Sequence, residues 1–345
     1  MMESIAIDGI NARPADAKQW AHRRAMRLAC AFVPTAIALC AGSVAHAQAF
    51  PGRVVRIIVP TTPGGSLDLV ARLVARKLGE AWAQNVVVDN RAGAGGVIGA
   101  DLVAKAAPDG YAIGFIASQF TVSAGVYRKL PYDSVRDFAP VTQLVAVTWV
   151  LVVNSSLPVR SVKELIALAK KMPGQINYAS TGSGGATHLA VELLNSMAGI
   201  RMTHIPYKGT VPAVNDVVGG QAALIITGLA GMMPQITAGR LRVLGTVDGT
   251  RSRLMPDLPT VGETVPGYEY NNWFGVLAPR ATPDPIVAQL HDQIARALQA
   301  DEVKSPLLAQ GMEPRDTSPA QFGEMIRQEV AKYSALAKQI GVNVD

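Results

Sequence analysis

Residues 53–79 read RVVRIIVPTTPGGSLDLVARLVARKLG, and residues 176–199 read INYASTGSGGATHLAVELLNSMAG. In each, a short strand-like run leads through a glycine turn straight into a segment of helical period. In the first helix Leu69, Val70, Leu73, Val74 and Leu78 share one face, while Arg72, Arg76 and Lys77 share another. A glycine turn that opens on a helix leaves backbone N–H groups unpaired at the positive end of the helix dipole, so an anion is its natural occupant. Taken singly, such turns are also common as plain chain reversals. Two of them, far apart in sequence and in different expected domains, can face each other across a cleft and hold one acidic molecule.

The same alternation fills the rest of the chain. Strands are expected at 54–60, 85–89, 112–118 and 141–153, with helices over 67–81 and 97–107. Ser161 and Glu164 predict a capping box opening a helix that runs to Lys171, where Pro173 and Gly174 end it. Further strands are expected at 176–179, 202–205, 222–227 and 241–247, and a last one at 270–278. Two helices follow, over 283–300 and 318–340, the second with Ser318 as N-cap and Pro319 at its first position. Near-continuous apolar strands separated by helices imply an α/β fold with two mainly parallel sheets flanked by helices. The closing helices bring too few strands for a domain of their own, so they are expected to pack on an existing sheet. The chain then crosses to a second lobe near Trp149 and returns near Trp273, through a two-stranded hinge. The expected first lobe is 48–148 with 274–345, and the second is 149–273.

The first 47 residues read as a secretory leader. Arg23, Arg24 and Arg27 precede an apolar run over 28–44 that ends in Ala45-His46-Ala47, a small-x-small cleavage signal, with Gln48 as the mature start. Translation begins either at Met1 or at Met26. Cys40 is preceded by Leu39 rather than a small residue, and Cys30 has no apolar run ahead of it, which disfavours lipidation. The expected location is the periplasm, as a soluble chain. Both cysteines of the sequence lie in this leader, so the mature protein has no thiol or disulfide chemistry. The formal charge of +6 falls further when the leader goes, and no run of like charge remains, which disfavours a nucleic-acid surface.

Enzymatic readings are sparse. His188, His204 and His291 show no paired ligand spacing, so no metal is expected, and no cofactor. Gly93, Gly95 and Gly99 imitate a dinucleotide fingerprint, but the spacing is GxGxxxG and Asn90-Arg91-Ala92 separates it from its strand. That segment reads as a loop and helix start packed closely on the sheet. The rival to a binding site is a nucleophile elbow at Ser183, in Thr181-Gly182-Ser183-Gly184-Gly185, which would make the protein a serine hydrolase or esterase. Thr181 stands where that motif needs glycine. The order Ser183, Asp248, His291 fits a triad, yet His291 sits among charged neighbours on a surface helix.

Seven ordered segments carry a resemblance: PGGSLDLVARLVARKL, DNRAGAGGVIGADLVAKAAPDGY, RDFAPVTQL, INYASTGSGGATHLAVELL, IPYKGTVPAVNDVVGGQ, LPTVGE and WFGVLAP. Together they resemble the Bug family, the extracytoplasmic solute-binding proteins of tripartite tricarboxylate transporters. The resemblance runs from about Pro51 to near the end. It implies a two-lobed periplasmic binding protein of type II-like fold, a small carboxylate ligand (a di- or tricarboxylate or an aromatic acid), and a membrane permease or sensor as partner, with the receptor itself a monomer.

It also implies that backbone amides and ordered water at the two turns hold the carboxylate. That points to Pro63, Gly64, Gly65, Ser66 and Asp68 in the first lobe. In the second it points to Ser180, Thr181, Gly182, Ser183, Gly184, Gly185 and Thr187. Thr61, Ser118, His188, Tyr207, Thr227 and Phe274 are expected around them, Phe274 as a cleft wall. His188 either touches ligand or covers the turn, and Lys208 either counters a second carboxylate or is solvated on the rim. The chain departs from the family pattern twice. Thr61 and Thr62 replace an aromatic residue and a proline, and 221–227 carries no carboxylate to pair an ammonium, which favours a non-amino organic acid.

Overall fold

The computed structural model describes residues 50–253 and 255–341. The leader reading, with its cleavage after Ala47 and with Cys30 and Cys40, lies outside the described residues.

The first lobe begins with β1 (Val55–Val59), α1 (Ser66–Trp82), β2 (Val86–Asn90), α2 (Val97–Ala104), β3 (Ala112–Ala117) and α3 (Gln119–Val126), followed by β4 (Phe138–Val147). The chain then builds β5 (Trp149–Asn154), α4 (Val162–Lys171), β6 (Asn177–Ser180), α5 (Ala186–Ala198), β7 (Thr203–Pro206) and α6 (Thr210–Val218). After these come β8 (Leu224–Gly228), α7 (Leu229–Thr237) and β9 (Leu241–Thr246). It returns as β10 (Trp273–Pro279), α8 (Asp284–Gln299), α9 (Asp301–Ala309), β11 (Met312–Pro314) and α10 (Pro319–Ile340). One sheet has the order β11-β4-β10-β3-β1-β2 and the other β7-β6-β8-β5-β9.

The two-lobed α/β architecture matches the sequence reading, but the predominance of parallel pairing does not. Only β2-β1-β3 and β7-β6-β8 pair in parallel; β10 is antiparallel to β3 and β4, β11 to β4, and β5 to β8 and β9. The reason is the crossing itself. Strand β4 leaves the first sheet where β10 enters it, so the two must run in opposite directions. Both faces of the central strands are covered, so these read as apolar whatever their direction, while the edge strands β2 and β7 stay partly exposed.

The expected strand 141–153 is two strands, one in each sheet. Thr148 separates them: its N–H donates to Gly311 O (3.0 Å) and its carbonyl accepts from Leu229 N (3.0 Å), so it pairs within neither sheet. Beside it Trp149 stacks on Tyr270 at 5.9 Å. Trp273 is wholly buried, and its indole donates to Glu329 Oε2 at 2.9 Å.

Register fixes which ends of the strands meet. Ala117, at the end of β3, lies beside Phe274 at the start of β10, and Gly228, at the end of β8, lies beside Trp149. The C-terminal ends of β1 and β3 therefore point toward the second lobe, and those of β6 and β8 toward the first. In open α/β sheets that is the edge where ligands bind.

Helix α1 packs on its sheet through Leu67, Val70, Ala71, Val74 and Leu78, all buried, each leucine and valine contributing about 1.5–3 kcal/mol. Helix α2 sits tighter: a side chain at Gly99 would fall 2.6 Å from Pro60 Cβ. The close packing read from the glycine motif is what the structure has. Helix α10 crosses α3 at backbone contact, because a side chain at Gly125 would meet the Tyr333 carbonyl at 2.6 Å. The helix from Ser161 to Lys171 forms as expected, but its capping box is one-sided. Ser161 accepts from Glu164 N, whereas the Glu164 carboxylate turns back to accept from Arg160 N at 2.6 Å.

Candidate ligand-binding site

The first turn leaves β1 and opens α1. Gly64 takes the left-handed φ of +85°, while Gly65, the N-cap, has an ordinary φ of −80° and no side-chain cap. Among the described residues the N–H groups of Gly65, Ser66 and Leu67 have no partner, and Thr62, Pro63, Gly64, Gly65 and Ser66 are exposed.

Asp68 does not face that opening. It is 3 % exposed, and its carboxylate accepts from Gly64 N, Arg72 Nε and Asn90 Nδ2, each at 2.9 Å. The Arg72 hydrogen bond chiefly holds its pKa down to about 2, against the opposing effect of burial. Asn90 also donates to Thr61 O at 3.1 Å. Asp68 thus pins the turn from behind rather than lining a site.

The second turn, between β6 and α5, is built the same way with other residues. Ser180 Oγ accepts from Gly182 N (3.2 Å) and sits 2.6 Å from His204 Nε2; Thr187 Oγ1 accepts from Thr181 N at 2.9 Å. Gly184, at φ +73°, donates its N–H to His188 Nδ1 at 3.1 Å. His188 therefore holds the turn as a neutral imidazole, and its ring stacks on His204 at 3.9 Å. Burial pushes both imidazoles down to about 4, with His188 adding to the shift of His204. Ser183 is exposed, Gly185 caps α5 without a side-chain bond, and the N–H groups of Thr187 and His188 have no partner among the described residues.

Of the outlying expected residues, Ser118 is buried and donates to Asn272 Oδ1 at 2.6 Å, tying the end of β3 to the returning chain. Thr227 and Phe274 are also buried, Phe274 in the main core rather than on a cleft wall. Half-buried Tyr207 donates to Asp216 Oδ2 at 2.8 Å, and Lys208 beside it is exposed.

A residue the sequence reading passed over joins the two lobes at this site. Gln119, the first residue of α3, accepts through Oε1 from Ala186 N, the first N–H of α5, at 3.1 Å. Its amide oxygen lies where an oxygen of a bound carboxylate is expected. The same side chain lines a cavity of about 300 Å³ in the first lobe, with Thr61 on its wall.

The hydrolase reading loses its geometry here. Among the described residues no hydrogen bond joins Ser183 to a histidine, and the serine that does approach one, Ser180, has no exposure. His291 instead lies between Asp292 and Asp316 on the surface of α8.

The family description "tripartite tricarboxylate transporter family receptor" matches residues 70–342. The chain belongs to this receptor family. Within it, BugT of Bordetella pertussis is 37 % identical over 301 residues, covering 86 % of this chain and 92 % of that protein. An R. palustris protein solved with adipate is 38 % identical and superposes with a TM-score of 0.73 over 85 % of this chain and 99 % of its own. MatC of Rhodopseudomonas palustris, solved with bound malate, is 29 % identical with a TM-score of 0.69, over 83 % and 99 %. No helix among the described residues of this family member is long and apolar enough to cross a membrane.

Proposed function

We propose that this chain is a periplasmic receptor that captures a small, non-amino organic carboxylate and delivers it to the permease subunits of a tripartite transporter or to a sensor. The observation that carries this reading is the pair of glycine turns, one on each lobe at the C-terminal edge of its sheet, each opening on a helix N-terminus whose N-cap residue supplies no side-chain bond. Adipate and malate in two related structures support the same ligand class.

In this scheme the ligand bridges the lobes, and the segments around Thr148 and Asn272 act as the hinge. Work is done by differential affinity for open and closed arrangements, with no bond made or broken. Each helix N-terminus contributes about 0.3–1 kcal/mol when exposed and up to ~2 when partly buried. Micromolar affinity needs about 8 kcal/mol, so apolar contact and direct hydrogen bonds must supply most of it. The absence of a carboxylate from β8 (Leu224–Gly228) supports a ligand without an ammonium group.

The test is a thermal-shift screen of the mature protein against mono-, di- and tricarboxylates, aromatic acids and amino acids. A ligand at a hundredfold over its dissociation constant adds about 2.7 kcal/mol of stability. Stabilisation only by amines, sugars or nucleotides would overturn the reading, and amino acids outperforming their deaminated analogues would remove the ammonium argument.

A further inference from the structure

The cavity beside Gln119 is not made by either glycine turn. Its walls are Pro60, Ala100, Ile116, Ala117, Phe120 and the ring of Tyr132. Phe120 stacks on Tyr132 at 5.7 Å, and Phe138 meets both edge-on at 5.1 and 5.4 Å, so one side of the chamber is a fixed aromatic cluster. The opposite side is the loop that imitated a dinucleotide fingerprint. Gly93, Gly95 and Gly96 line it, with φ of +139°, +62° and +97°. Any side chain at Gly95 or Gly96 would be strained there, so the run of small residues keeps the space open.

Two features define what fits. Apart from the Tyr132 phenol, no ionisable side chain lines the chamber, so a charged group inside it would have no counter-ion. At about 300 Å³ it is roughly twice the volume that accommodates a benzene ring, room for a ring with a substituent or a medium hydrocarbon chain. Thr61 also lines the chamber, but its Oγ1 is closed off from it, buried without a hydrogen-bond partner. The mouth is also defined, because Gln119 both lines the chamber and touches Ala186 N on the facing lobe.

We propose that the chamber receives the uncharged, apolar body of the ligand while a single carboxylate stays at the mouth on the α5 N-terminus, so that the receptor selects hydrophobic monocarboxylates over acids charged at both ends. The proposal rests on the carboxylate-receptor reading and narrows it. A second carboxylate on that body would be buried without a cation.

Calorimetry with acetate, hexanoate, benzoate, adipate and citrate tests it on the intact mature protein. Hexanoate or benzoate is expected to bind at least tenfold tighter than acetate and than adipate. Tightest binding of adipate or citrate would overturn the chamber proposal and leave the receptor reading standing, whereas binding of none of the five would count against both. Ala117→Phe, which fills the chamber, should collapse the hexanoate-to-acetate ratio toward one, with circular dichroism confirming the fold. An unchanged ratio in Ala117→Phe would contradict the placement of the ligand body.

Discussion

Gln119 Oε1 on the first lobe accepts a hydrogen bond from Ala186 N on the second, at 3.1 Å. Gln119 Nε2 is held in turn by Ser123 Oγ at 3.3 Å, which orients the amide oxygen toward the helix terminus. A neutral acceptor here satisfies one orphan N–H without supplying the negative charge that the dipole favours. A ligand carboxylate can therefore displace it at a profit.

A fixed carboxylate at that position should do the opposite. Gln119→Glu places the anion permanently on the α5 N-terminus, so ligand affinity is expected to fall at least about tenfold, near 1.4 kcal/mol, while the fold is undisturbed or slightly stabilised. Gln119→Ala removes one neutral hydrogen bond of about 0.5–1.5 kcal/mol and should change affinity less. Calorimetry on the two variants decides: equal affinities for Gln119→Glu and wild type would show that the ligand does not use Ala186 N.

The glycines of the two turns should differ in tolerance according to their backbone angles. Gly64 (φ +85°) and Gly184 (φ +73°) occupy the left-handed region, whereas Gly65 (φ −80°) does not. Gly184→Val forces a β-branched residue into that region, at a cost of roughly 1–3 kcal/mol, and disturbs the N–H donated to His188. Gly65→Ala is expected to fold normally and to lose affinity only through obstruction of backbone approach. Ser183→Ala, on an exposed residue with no hydrogen bond to a histidine, should cost no more than one hydrogen bond to ligand, about 0.5–1.5 kcal/mol. Denaturation and calorimetry together give the ranking; a Ser183→Ala loss exceeding that of Gly184→Val would reverse it.

Removing Asp68 should harm the first turn from behind. Its carboxylate satisfies Gly64 N, Arg72 and Asn90 in a buried position, so Asp68→Ala removes the acceptor of the Gly64 N–H, of Arg72 Nε and of one of the two Asn90 amide bonds. A loss of about 1–3 kcal/mol in chemical denaturation is expected, accompanied by weaker ligand binding, because Thr61 and Gly64 are then free to shift. Retained stability with lost binding would instead place Asp68 against the ligand itself.

Much of this was legible in the sequence because strand, glycine turn and amphipathic helix α1 or α5 are each local patterns, and their order fixes the sheet edge they share. What escaped was long-range. The run 141–153 carries one uninterrupted apolar pattern, and only the tertiary partners of Thr148 divide it between two sheets. Helix α3 follows β3 with only Ser118 between Ala117 and Gln119, and its QFTVSAGV reads more like continued strand than helix, so Gln119 went unremarked. Phe274, Thr227 and Ser118 have the chemistry of lining residues, but strand pairing turns Phe274 and Thr227 into the interior, and Ser118 turns inward to Asn272. Asp68 sits in the first turn of its helix where an acid suits the dipole, and nothing local distinguishes bracing the turn from meeting a ligand.

Stability should depend on pH through two opposed sets of buried groups. His188 and His204 are lowered to about 4 by burial, so between pH 4 and 6.5 the unfolded chain holds two protons that the folded chain does not, and stability rises with pH. Asp248 and Glu329 are raised to about 7, Asp248 by burial and then by Glu313 and Glu269, with Arg315 opposing, and Glu329 by burial against the bonds from Trp273 and Thr121. For these carboxyls the folded chain holds the protons, so their contribution is greatest below their unfolded values near 4 and is lost as pH rises through 7. The geometry agrees for Glu329: the single Thr121 hydroxyl proton cannot serve both Ser118 O and Glu329 Oε2, each at 2.8 Å, so a protonated Glu329 completes the set. The two sets offset one another from pH 4.5 to 6.5, where wild-type stability should be nearly flat, and only the carboxyl contribution remains above 6.5, where stability should decline. Asp248→Asn removes one of the two carboxyls. Its stability should then rise across pH 4.5–6.5 with an upper limit of about 1.4 kcal/mol per pH unit, reduced in practice because Asp248 is only half-buried and partly screened. Urea denaturation of both proteins at pH 4.5, 5.5, 6.5 and 7.5 measures the difference, and parallel curves for the two would show that Asp248 takes no part in the pH dependence.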